Sequence, residues 1–211
     1  MHGAGRTDAG VHALGQVASA EVTFTHDPAA ILRGLNASLP ADVRVVAIED
    51  APSGFHARFS ARSKTYRYII RNSPVASPFD RAFAWHLPEP LDDDRMRAAA
   101  DTLVGTHDFA AFQSTGSETS GTVRTITRSE LTRHEAVNLW GKPYQACLLY
   151  DVSGNGFLRH MVRAIVGTLV EIGRGRRSSD SMASLLARGD RSQAGATAPP
   201  HGLFLVGVDY D

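Results

Sequence analysis

The residues with the clearest chemical potential stand at the start of the chain. In "GAGRTDAGVHALGQ", Gly3 to Gln16, an arginine and an aspartate are set among small residues. Nothing bulky beside Asp8 shields its carboxylate, and Arg6, two residues earlier, could pair with that carboxylate or hold a phosphate. A carboxylate kept ionised by an arginine serves as nucleophile or base. The glycines let the backbone approach a ligand or take positive φ at little cost. The competing reading is an ordinary turn whose aspartate bonds its own backbone, and the spacing alone does not exclude it.

Two further stretches add to this. "FHARFSARSKTYRYII" carries Arg58, Arg62, Lys64 and Arg67 and no acid, with Tyr66 and Tyr68 on one face of an expected strand. Basic residues interleaved with aromatics are the composition of surfaces that stack bases and hold phosphates, although half-buried strand tyrosines would look the same. "FLRHMVRAIVG" sets Arg159 and Arg163 four apart, so on one helical face, beside His160. Arg163 falls at the edge of an apolar stripe. A partly desolvated arginine needs a partner, which an aspartate from another segment would supply; a surface arginine with its stem along the core is the alternative.

Composition narrows the class. The 22 basic and 22 acidic residues cancel, but all the basic ones except Lys64 and Lys142 are arginine, and they cluster. A second basic group (Arg159, Arg163, Arg174, Arg176, Arg177) is offset in sequence by Glu171 alone. Local basic surface, not net charge, is what binds phosphate. No apolar run is long enough to span a membrane. The opening residues lack a signal-peptide pattern. The single cysteine, Cys147, excludes an internal disulfide and fits buried strand packing. The nine histidines show no metal-ligand spacing. A soluble cytoplasmic protein without metal is expected.

The elements that must position these residues read as follows. Leu14 to Phe24 alternates as a half-buried strand, and "DPAAILRGLNASLP" is a helix capped by Asp27. "VRVVAIE" and "TYRYIIR" are strands, and "PLDDDRMRAAADTLVG" is a helix with acids at its start. "TVRTITRSELTRH" and "YQACLLYDVSG" are neighbouring strands joined through Asn138 and Gly141. "GFLRHMVRAIVGTLVEIGRG" is a helix with a stripe of Leu158, Met161, Val162, Ile165, Leu169 and Ile172. "SDSMASLLARGD" is a short helix, and "GLFLVGVDY" closes the chain as a strand. The pattern predicts an α+β fold on a largely antiparallel sheet, with lobes over residues 1–72 and 73–211 that meet at a cleft.

"GAGRTDAGVHA", "FHARFSA" with "KTYRY", "HMVR" with "IVG", and "GL" with "VDY" occur in the order and spacing of one family. In these motifs the chain resembles the tRNA pseudouridine synthase A family over essentially its whole length. The resemblance implies the pseudouridine synthase fold, with two ferredoxin-like lobes of which the first is incomplete. It implies that Asp8 is the catalytic aspartate, that Tyr66 stacks on the target base and helps to remove the proton at carbon 5, and that Arg163 pairs with Asp8. Leu203 would line the pocket, and Arg6, Arg58 and His160 would contact RNA. Members carry a further strand and helix ahead of the first motif. A fragment, a mis-started reading frame or a lobe built differently is therefore expected, with packing partners missing for Val11, Leu14 and Val17.

By resemblance the substrate is the anticodon stem-loop of tRNA at uridines 38, 39 and 40, the protein is a homodimer, and no cofactor is needed because the reaction is an isomerisation. Asp8 would attack carbon 1′ or remove the 2′ proton; both routes stay open. Two rival readings are a non-catalytic RNA-binding protein of the same fold, inactive because truncated, and a carboxylate-dependent hydrolase. Glycosidases use two carboxylates, and no second acid accompanies Asp8 in the sequence.

Overall fold

The computed structural model describes residues 1–23, 27–114, 121–137 and 143–210, with only the backbone of 136, 137 and 143–145. In chain order the strands and helices are β1 (His2–Gly3), β2 (His12–Ala13), β3 (Ala18–Ser19), α1 (Pro28–Ser38), β4 (Ser63–Asn72), β5 (Trp85–Leu87) and α2 (Asp93–Asp101). They continue with β6 (Gly105–Asp108), β7 (Val123–Val137), β8 (Pro143–Gly154), α3 (Met161–Gly173), α4 (Ser181–Arg188) and β9 (Leu203–Asp209). The connection through Asn138 and Gly141, and Phe24 of the first expected strand, lie outside the described residues.

β4 organises the sheet. It pairs antiparallel with β8 on one side and β9 on the other, and its far end pairs parallel with β5. Among the described residues the main sheet runs β2-β9-β4-β8-β7-β6, with only β2–β9 and β4–β5 parallel. The fold is α+β on a mostly antiparallel sheet with flanking helices, as the pattern predicts.

Alternation along β4 separates two kinds of chemistry. Tyr66, Tyr68 and Ile70 point to one face and join Leu148, Tyr150 and Val152 of β8 in the core. Arg67 and Arg71 point to the other, where Arg67 pairs bidentately with Asp151 at 2.7 and 2.8 Å and Arg71 pairs with Asp80 at 2.7 Å. Cys147 is buried, and burial pushes its thiol up.

α3 covers the apolar face. The six residues of the expected stripe are all buried, and so are Ala164, Val166, Thr168 and Val170, so the helix is enclosed nearly all round. Each large side chain buried in this way contributes roughly 1.5–3 kcal/mol. The helix begins at Met161, later than the pattern suggests, because His160 takes a left-handed conformation with φ 61° and breaks the continuity. Arg159 therefore precedes the helix and does not share a helical face with Arg163.

A strap over residues 194–199 lies on α3. A Cβ on Gly167 would sit 1.7 Å from the Ala196 carbonyl oxygen, and one on Gly195 would sit 2.8 Å from Thr168 Cα. Only glycine at both positions permits this approach. Gly195 N–H donates to Thr168 Oγ1, Ala198 N–H donates to the Arg163 carbonyl, and Tyr68 Oη donates to the Pro199 carbonyl.

Two expected strands are corrected. Between Leu14 and Phe24 only Ala18–Ser19 is a strand, paired with β1, and Val22 is exposed. "VRVVAIE" forms no strand, and Val46 is exposed. Its β-branched residues have no neighbouring backbone to pair with among the described residues, and propensity alone does not make a strand. Leu14 is exposed, whereas Val11 packs against the core. α1 forms with Asp27 capping Ala29 N–H, yet none of its residues is buried. β5 and β6, short and with weak alternation, are additions that the sequence pattern does not signal.

Gly167→Ala forces α3 and the strap apart. It should reduce stability by about 1–3 kcal/mol, read as a lower urea midpoint with an unchanged slope.

Candidate active site

Asp8 stands on a loop held at three places. At its base Ala4 N–H donates to the Val17 carbonyl at 2.8 Å, and Gln16 Nε2 donates to the Gly5 carbonyl at 3.0 Å. Its returning arm docks as β2 on β9, extended by Leu14 N–H to the Leu205 carbonyl. At the apex Val11 N–H donates to the Asp8 carbonyl, which closes a turn through Gly10 at φ 80°. That turn is where the glycine is required.

The side chain of Asp8 takes no bond from its own turn. Arg163 Nη1 donates to Asp8 Oδ2 at 3.0 Å, and Arg163 Nε donates to the Ala198 carbonyl at 2.8 Å. The guanidinium is 13% exposed and the carboxylate 34%. Arg163 is thus the partly desolvated arginine expected from the stripe, and its partner is an aspartate 155 residues away. His160 Nε2 lies 3.1 Å from the same Oδ2. Behind the ring, His160 Nδ1 lies 2.6 Å from Ser114 Oγ.

Tyr66 lies on the same side of the sheet. It is 9% exposed, packs edge-on to Phe157 with centroids 5.0 Å apart, and makes no hydrogen bond to the described residues. Burial, then the Asp8 charge, raises its hydroxyl above the ordinary tyrosine range. The ladder between β4 and β9 shifts register between Thr65 and Tyr66, a bulge of the kind that re-aims side chains beside sites. Tyr68, its companion in the motif, is fully buried and serves the core. Leu203 is buried where β9 meets Tyr68.

The basic residues divide. Arg67 and Arg71 are committed to ion pairs on the far face, Arg174 pairs with Glu89 at 3.0 Å, and Arg177 pairs with Glu171. Arg6 is exposed, with no ion pair to the described residues, so the partner of Asp8 is Arg163 and not Arg6. Arg58 is exposed and lies over the Phe59 ring at 5.6 Å. Lys64 approaches Gly5 of the loop, and burial, then Arg58, lowers its ammonium below the usual lysine range. Ser114 and Phe157 enter the site without a sequence signal beyond position, whereas Lys64 belongs to the basic run; only the fold brings them near Asp8.

The site is an arginine-held aspartate at the edge of the sheet, with a buried tyrosine behind it and exposed arginines around it, which suits a ligand that brings phosphates to the rim and a ring to the tyrosine. Residues 99–211 match the tRNA pseudouridine synthase family. The chain is 47% identical over 207 residues to tRNA pseudouridine synthase A of Roseiflexus sp. (strain RS-1), covering 98% of this chain and 74% of that protein. It is 44% identical over 211 residues to the protein of the same name from Geotalea uraniireducens (strain Rf4), covering 82% of that protein. The chain belongs to the tRNA pseudouridine synthase A family.

Arg163→Lys keeps the charge but forfeits the bond to Ala198, worth about 1 kcal/mol. The thermal midpoint should fall by about 2–4 °C, measured by calorimetry.

Proposed function

We propose that the chain is an isomerase that converts uridine to pseudouridine in the anticodon stem-loop of tRNA, at positions 38, 39 and 40, with Asp8 as the catalytic residue. The observation that carries this reading is the pairing of Asp8, from the family's first motif, with Arg163, from its "HMVR" motif. The reaction breaks the bond between carbon 1′ and N1, rotates the base, and joins carbon 1′ to C5. C5 loses its proton and N1 gains one, so nothing is oxidised or hydrolysed overall.

The target uridine must leave its stack, at a cost of a few kcal/mol. Contact with an aromatic ring returns about 1–3 kcal/mol per base, and Tyr66 is the aromatic nearest to this task. Its hydroxyl stays protonated at neutral pH. As a proton acceptor it would have to pass its own proton on as it takes one from C5. Asp8 acts on the ribose, by attack at carbon 1′ or by removal of the 2′ proton. Leu203 supports the apolar wall. Arg6 and Arg58 meet phosphates, which position the RNA without reading bases.

Asp8 and Tyr66 come from the segment before residue 72, and Arg163 and Leu203 from the segment after it, which supports two lobes over 1–72 and 73–211 with the cleft between them. Homodimer formation and a cytoplasmic location belong to the same reading. Among the described residues no helix is long and apolar enough to cross a membrane.

The test is single-turnover pseudouridine formation on unmodified tRNA transcripts with uridine at position 38, 39 or 40. Wild type should convert these uridines, and Asp8→Ala and Asp8→Asn should give no product while tRNA affinity stays within a few-fold. Product from either Asp8 variant would sink the assignment. Arg6→Ala should weaken tRNA binding without changing the reacting position, and should lower the slope of log affinity against log salt by about one.

A further inference from the structure

Asp8 Oδ2 accepts from Arg163 Nη1 at 3.0 Å and lies 3.1 Å from His160 Nε2, while no described residue donates to Oδ1. A carboxylate only accepts, so the nitrogen of His160 that faces it carries a proton. In a neutral imidazole the other nitrogen is then an acceptor. Nδ1 lies 2.6 Å from Ser114 Oγ, so the serine hydroxyl is the donor in that contact.

We infer that Ser114 and His160 are a positioning pair for the catalytic carboxylate: Ser114 fixes the imidazole as its Nε2–H tautomer, His160 and Arg163 together immobilise Oδ2, and Oδ1 is the oxygen that meets the ribose. This rests on the reading of Asp8 as the catalytic residue.

Three observations support it. His160 is the single non-glycine residue among those described with positive φ. Such a conformation costs free energy in a residue that has a Cβ, and it persists where the surroundings over-determine it. Here it turns the imidazole toward Asp8 at the point where α3 begins. Secondly, the chain is tied on both sides of the ring: Ser114 N–H donates to the Arg159 carbonyl at 3.2 Å, and Ala164 N–H donates to the His160 carbonyl at 2.9 Å. Thirdly, the ring sits among charges that keep it neutral. Burial is the largest influence and lowers its basicity. Asp8, from the loop, opposes this, and Arg163 and Arg159 reinforce it.

A direction of titration follows. His160 takes up its proton below the ordinary histidine range, and the imidazolium would hold Oδ2 as a second full positive charge. The carboxylate then becomes a poorer nucleophile and base, so the rate falls on the acid side. A histidine whose folded basicity is lowered supports the native state above its unfolded value, and that support is lost as pH falls from that value through the lower folded one.

The experiment compares wild type with His160→Gln, His160→Asn and Ser114→Ala, and uses Asp8→Ala as control. Single-turnover rates on a tRNA transcript are followed across the acid range, tRNA affinity is measured separately, and each variant is checked by circular dichroism. Gln sets its amide nitrogen where Nε2 stands, whereas Asn is too short to reach Asp8 but accepts left-handed backbone well. Asn should cost about 10- to 100-fold in rate with affinity unchanged. Gln should recover much of that loss and abolish the acid limb. Ser114→Ala should slow the reaction several-fold at unchanged affinity, and it tests the pair even if a His160 variant fails to fold.

A wild-type rate in a folded His160→Asn, or a loss of affinity that matches the loss of rate, would overturn the pair; the second result would make His160 a direct RNA contact. Turnover by Asp8→Ala would instead overturn the catalytic assignment, so the two failures are distinguishable.

Discussion

The bond between Arg163 and Asp8 is the constraint on which the rest of the site depends. α3 is enclosed nearly all round, and a guanidinium at its third position is tolerated only with its charge and its donors answered. Asp8 answers the charge and the Ala198 carbonyl answers Nε. Each partner imposes its own requirement. Ala198 reaches Arg163 only because the strap presses onto the helix at Gly167 and Gly195. Asp8 reaches it only because the loop turns at Gly10 and its returning arm docks on β9. Replacing such a pair by apolar residues of similar volume is often neutral or stabilising, so stability does not account for its presence. The catalytic role proposed for Asp8 does.

The sheet keeps its two electrostatic tasks apart. Odd-numbered positions of β4 carry Arg67 and Arg71 into ion pairs that finish the far face, while even-numbered positions carry Lys64 and Tyr66 toward the loop. A run of basic residues that reads in sequence as one surface is therefore two. Several arginines that look available for phosphate are spoken for by Asp80, Glu89, Asp151 and Glu171. Arg6 and Arg58, near the loop, are exposed with no such partner among the described residues.

How much of this was legible in the sequence depended on whether the signal was local. The long elements β4, β7, β8, α2 and α3 carry their own periodicity, and the apolar stripe of α3 locates Arg163 at its edge. The motif order identifies Asp8, Tyr66 and Arg163 together. What escaped was decided by distant partners. "VRVVAIE" has strand residues without a neighbour, and β5 is a strand because β4 is beside it. The break before Met161 comes from the backbone of His160, whose residue type gives no warning of a left-handed φ. Ser114 has no signature at all, since a serine becomes a partner for a histidine 46 residues on only through the fold.

These directions of titration also describe the surroundings of Asp8. Tyr66 is raised and His160 is lowered, so both are neutral at physiological pH, and burial is the largest cause in each case. Asp8 and Arg163 carry opposite charges and face each other, so the interior of the site is nearly compensated. Under the proposed reading the exposed Arg6 and Arg58 take the phosphates and the neutral uracil is left to the Tyr66 ring. Within that interior the symmetry of the carboxylate is broken by its donors. Oδ2 accepts from Arg163 and lies 3.1 Å from His160, whereas no described residue donates to Oδ1, so the charge is left most available on Oδ1.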